Sequence, residues 1–107
     1  MRESLVIDNI KQLGKRLLPK GSSIYLYGSR ARGDNYEGSD WDLLLLLDKP
    51  YMSYKDRDDI EFPFVDLGWN IGEDISARAY TKEQWFKGQH SLFFYNVEQD
   101  KLLIYES

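Results

Sequence analysis

Two aspartates, Asp40 and Asp42, stand two positions apart at the head of a run of five leucines, residues 43–47. Alternate residues of a strand project from one face, so in an extended segment both carboxylates converge on one small volume. Like charges at the edge of an apolar run carry a desolvation cost and repel each other, and a divalent cation between them relieves both. Magnesium suits such a pair, since it takes one or two carboxylates and fills its remaining positions with water and substrate phosphates. Upstream, an apolar and aromatic stretch ends in Tyr27-Gly28-Ser29. Strand, glycine, helix start is a geometry suited to phosphate: glycine admits close backbone approach, and the first amides of a helix have no internal partner. Ser29 adds a hydroxyl donor. No Gly-Lys-Ser/Thr follows, so this is not a P-loop.

The elements that must position these groups can be read from pattern. Residues 3–18 carry Leu5, Val6, Ile10, Leu13 and Leu17 at helical spacing, and Pro19-Lys20-Gly21 ends that helix. Residues 23–27 read as a strand that stops at Gly28, residues 29–33 as a short helix closed by Gly33-Asp34-Asn35, and residues 40–47 as a strand buried on both faces. From Pro50 to about Ile60 the chain reads as polar and irregular, with a helix over part of residues 59–69 interrupted by Pro63 and Gly68. Residues 74–80 form a third strand, and Thr81-Lys82-Glu83-Gln84 is a capping box that starts a helix at Trp85 and Phe86. The tail from Ser91 to Ser107 reads as a short helix and a final strand.

Composition narrows the function classes. A chain of 107 residues with 30% charged and 42% hydrophobic residues is sized for a single domain, residues 1–107, whose site is an open cleft that a partner completes. The net charge of −4 and pI near 4.9 argue against general nucleic-acid binding, which depends on basic residues neutralising phosphates. No apolar run approaches the roughly 20 residues of a membrane span, and the N-terminus lacks a secretory pattern, so no membrane role is expected. Cysteine is absent, which removes thiolate zinc sites and fits a cytoplasmic location. The single His90 lies in a Gly-Gln-His-Ser stretch suited to a surface or capping role.

Taken together, Tyr27-Gly28-Ser29-Arg30-Ala31-Arg32-Gly33, a short polar loop, and Ser39-Asp40-Trp41-Asp42-Leu43 closely resemble the minimal nucleotidyltransferases of the DNA polymerase β superfamily, whose signature is Gly-Ser, a spacer, and Asp-x-Asp on the next strand. The resemblance is tight over residues 24–47. It implies an α/β (α+β) fold with a small mixed sheet and helices mainly on one face, like the polymerase β palm. It assigns Gly28, Ser29 and Arg32 to nucleotide binding, and Asp40 and Asp42 to Mg²⁺ and catalysis. ATP or another nucleoside triphosphate is the implied substrate. Arg30 is expected on a solvated helix face, and Trp41, facing away from the aspartates, in packing. Stand-alone domains of this kind are encoded beside a helical HEPN-domain protein and act as antitoxins, in some cases by attaching AMP to it. A HEPN-like partner or a homodimer is therefore expected here, with the apolar tail segment Leu92-Phe93-Phe94-Tyr95 as the contact.

The family's third metal-binding carboxylate lies on a later strand. Counting back from the helix start at Thr81 puts that position at Ser76, whereas a two-residue shift puts it at Asp74, and strand alternation sets both on one face. Asp74 is the catalytic and metal-binding candidate. Asp66 is a weaker one. If Ser76 holds the position, the domain is a nucleotide- or partner-binding module with weak or absent turnover.

Overall fold

The computed structural model describes residues 2–107. In chain order the elements are α1 (Arg2–Leu17), β1 (Ser23–Tyr27), α2 (Ser29–Arg32), β2 (Trp41–Leu47), α3 (Tyr54–Ile71), β3 (Ile75–Thr81), α4 (Lys82–Lys87), α5 (Leu92–Asp100) and β4 (Leu102–Glu106). One mixed sheet has the order β3-β2-β1-β4; β2 runs parallel to β3 and antiparallel to β1, and β1 is antiparallel to β4. Parallel neighbours need a crossover, which α3 supplies between β2 and β3.

The five leucines of β2 are buried in both directions, as a continuous apolar run in an inner strand requires. Trp41, Leu43, Leu45 and Leu47 face a core closed by α1 and α3, with Val6, Ile10 and Phe64. Leu44 and Leu46 face the opposite way and meet Trp85 of α4 and Val97 of α5, with Tyr25, Tyr27, Tyr80, Phe93 and Phe94 around them. The two long helices thus cover one face, while the two short C-terminal helices cover only part of the other. Asp42 shares the second face, beyond the reach of that smaller cluster.

One element differs from the sequence pattern. The stretch expected to be irregular up to Ile60 is helical from Tyr54, because Ser53 and Asp56 form a reciprocal capping box at that point. α3 then runs through Pro63 to Ile71. Phe64, fully buried beside the proline, anchors the helix to the core. Gly68 is required by packing: a Cβ there would collide with the Glu73 carbonyl and with Ile75, where α3 approaches β3. The Thr81–Gln84 capping box forms as the sequence predicts, with bonds of 3.0 Å each way.

Candidate active site

The β1–α2 turn and the first residues of β2 and β3 meet at one end of the sheet, on the face that α4 and α5 leave uncovered. Gly28 adopts φ 76° and ψ −157°, a region that side-chain-bearing residues avoid. Its Cα lies against the Asp42 carboxylate, and a Cβ in its place would overlap Asp42 Oδ2. No side chain caps α2. The carbonyl of Gly28 accepts from Ala31 and Arg32, that of Ser29 from Gly33 and Asp34, so the turn is held rigidly through its carbonyls while its leading amides have no helical partner.

Asp42 is half-buried, opposite Tyr27 on one side and Ser76 on the other. Asp40 is exposed and immediately precedes β2. Burial, and after it the negative charge of Asp40, pushes the Asp42 carboxyl above its ordinary range, with Arg78 and Arg32 opposing the shift. Burial and then Asp42 likewise push the Tyr27 phenol up to about 12, so Tyr27 is neutral at physiological pH. An acidic pair at the uncovered end of a sheet, one member resisting ionisation, suits a cation that completes its shell with phosphate oxygens.

Neither later carboxylate completes a metal-holding group with this pair. Asp74 is exposed, just ahead of β3, and its carbonyl accepts the Trp41 amide at 2.8 Å. Ser76, not Asp74, stands directly across from Asp42 in the strand register. Asp66 is exposed on α3, where Asn70 donates to it. Among the described residues no three His, Cys, Asp or Glu side chains are grouped so as to hold a metal ion.

Arg30 departs from expectation. Arg30 is not solvated: its side chain is 8% exposed, it lies over the Trp41 ring at 4.3 Å, and its Nε donates to the Ser39 carbonyl at 3.0 Å. It locks α2 to the loop before β2, and Ser39 Oγ in turn accepts from the Tyr36 amide. Arg32 is near enough to act on Asp42 but is held by Asp34 at 3.2 Å and Asp100 at 3.0 Å. Trp41 is buried, as expected, and its Nε1 donates to Glu73 at 2.8 Å. That bond first, then Arg2, holds the Glu73 carboxyl below its usual range.

Sequence reasoning passed over Arg78. The alternation that puts residues 74 and 76 on the site face continues to 78, and Arg78 lies there exposed over the Phe93 ring at 4.7 Å. His90 takes the surface role expected of it, bonding the Phe86 carbonyl at the end of α4 and stacking on Phe94.

The family profile described as nucleotidyltransferase domain matches residues 7–99, most of the chain and all of the site. This chain belongs to the nucleotidyltransferase domain family. Solved structures share its fold. A toxin–antitoxin determined with AMP-PNP superposes with a TM-score of 0.67 at 17% identity, over 94% of this chain and 73% of that one. A complex of an MNT antitoxin with a tri-AMPylated HEPN toxin of Shewanella oneidensis gives 0.64 at 15% identity, over 97% and 72%. A candidate nucleotidyltransferase of Sulfolobus solfataricus gives 0.62 at 20% identity, over 92% and 78%. At these identities the likeness is one of fold. No curated protein sequence matches the chain significantly. No described helix of this nucleotidyltransferase domain is long and apolar enough to cross a membrane.

Proposed function

We propose that the domain binds a nucleoside triphosphate as its magnesium complex and transfers the nucleoside monophosphate, AMP from ATP, to a hydroxyl of a HEPN-like protein partner. The observation that carries the binding half is the seating of the Asp42 carboxylate on Gly28, a group suited to a cation against a turn suited to phosphate. Asp40 and Asp42 would hold Mg²⁺, which when bound neutralises charge on the phosphates and lowers the pKa of an attacking hydroxyl. The amides and hydroxyl of Ser29 hold phosphate oxygens; Arg32, which the family resemblance assigns to them, is tied instead to Asp34 and Asp100. The acceptor oxygen bonds to the α-phosphorus as its bond to pyrophosphate breaks, and the acceptor proton passes to Asp74. The uncovered end of the sheet leaves room for a large acceptor.

The partner assignment rests on the fold shared with antitoxins that are seen in complex with their toxins. A second reading is favoured by a specific observation: Ser76, the position that counting back from Thr81 gives for a third carboxylate, stands across from Asp42. On that reading the domain binds nucleotide and partner without turnover.

Labelled ATP separates the two. On the first reading the domain and its partner with Mg²⁺ yield labelled partner and pyrophosphate, and Asp74→Ala lowers the rate by orders of magnitude, since an electrostatic group acting on the transition state is worth about 3–4 kcal/mol. Absence of product where ATP binding is demonstrable supports the second, and activity gained by Ser76→Asp would then identify the cause.

A further inference from the structure

Three arginines surround the site, and two are spoken for. Arg30 is buried against Trp41 and bonded to Ser39, with Glu3 and Glu73 nearby. Arg32 is bonded to two aspartates, Asp34 and Asp100, which offset its charge toward a phosphate. Arg78 differs. It is exposed, and among the described residues its guanidinium has no hydrogen-bond or salt-bridge partner.

Its position is nonetheless well defined. Ser76 lies across from Asp42, and Arg78 is the next residue of β3 on that face, across from Leu44. The guanidinium rests over Phe93, whose ring meets Tyr27 edge-on at 5.7 Å, and Tyr27 is the residue opposite Asp42 on the other side. A guanidinium seated over an aromatic ring gives it no N–H bond of the kind an ion-pair partner would take, and its donor fork matches a phosphate. An unpaired charge beside an acidic pair would be expected to fold onto a carboxylate, yet Asp42 makes no ion pair with it.

We propose that Arg78, rather than Arg32, is the arginine that binds the phosphates of the nucleotide, held ready by Phe93 on the side of the site where Ser76 stands across from Asp42. The proposal rests on the nucleotide-binding reading above and adds to it the residue that takes the phosphate charge. A serine next to a free arginine makes that side of the cleft cationic, the reverse of what a third metal-binding carboxylate would do. Two aspartates already offset the charge of a divalent cation, so the triphosphate charge on that side falls to Arg78.

The test is calorimetric titration of wild type, Arg78→Met, Arg78→Lys and Arg32→Met with Mg-ATP and with AMP. Methionine retains packing on Phe93 without the charge. Loss of a charge-assisted hydrogen bond predicts roughly ten- to hundredfold weaker Mg-ATP binding for Arg78→Met. Arg78→Lys should recover part of it, Arg32→Met should bind more nearly as wild type, and AMP affinity should fall less than that of ATP. Binding of Mn²⁺ alone should not weaken, since a cation beside Asp42 opposes metal binding. Wild-type affinity for Mg-ATP in a folded Arg78→Met would overturn the proposal, as would a larger loss in Arg32→Met. No binding of Mg-ATP by the wild type would instead overturn the nucleotide-binding reading beneath it.

Discussion

Replacing Gly28 by alanine tests the site at its tightest point. Two costs follow from the geometry. The backbone, at φ 76° and ψ −157°, occupies a region worth about 1–3 kcal/mol to any residue with a Cβ. The added methyl would also overlap Asp42 Oδ2, so either the carboxylate swings away or the turn shifts. For a domain of this size each kcal/mol lowers the melting midpoint by roughly 4–8 °C, which places the backbone cost alone at roughly 4–24 °C. A displacement of a ligand by about 1 Å can cost on the order of a hundredfold in function. Gly33→Ala is the control: Gly33 also has positive φ, 82°, but nothing lies within 4 Å of its would-be Cβ. Differential scanning and titration with Mg-ATP should show both variants destabilised and only Gly28→Ala impaired in binding. Gly28→Ala binding Mg-ATP as tightly as Gly33→Ala would refute the placement of Asp42 against the phosphate turn.

Asp42→Asn should abolish Mg-ATP binding yet raise the stability of the ligand-free domain. The folded carboxyl titrates above its unfolded range, so its ionisation costs stability as pH rises through the folded pKa, and denaturation of wild type and variant across that window should show the cost vanish in the variant. Glu73 has the opposite sign: its lowered pKa means that stability is present above the ordinary carboxylate range and is lost as pH falls through the folded value. Glu73→Ala should cost about 1.5–3 kcal/mol at neutral pH by chemical denaturation, from the lost bond to Trp41, and should blunt acid unfolding. At the C-terminal end, Leu92 and Tyr95 are exposed while Phe93 and Phe94 pack on Trp85. Leu92→Glu with Tyr95→Glu should therefore leave the fold and Mg-ATP binding intact while weakening association with partner or second copy in light scattering.

The parts of the fold visible in the sequence are those fixed locally. Thr81 and Gln84 cap a helix whatever surrounds them, and a run of five leucines between polar flanks needs two apolar neighbours. α3 was only partly visible because Pro63 and Gly68 read as breakers. The packing of Phe64 holds the helix through the proline, and Gly68 is where a strand must approach it. The candidate site was read from Gly28-Ser29 and Asp40-x-Asp42, since each motif states its own geometry, and the fold brings Gly28 against Asp42. The register of β3 was not. Parallel pairing across a crossover is set by the packing of α3, and it is that pairing which sets Ser76 beside Asp42. The arginines of α2 sit two apart on a single short turn, and only the tertiary structure distinguishes the one under the loop from the one tied to Asp100.

The most direct test of the central claim is a crystal structure with Mg²⁺ and a non-hydrolysable ATP analogue. The account predicts a cation about 2.0–2.1 Å from oxygens of Asp40 and Asp42 and shared with a phosphate, whose neighbouring oxygens bond the amide and hydroxyl of Ser29. A nucleotide ordered away from Gly28, or a metal held without Asp42, would contradict it.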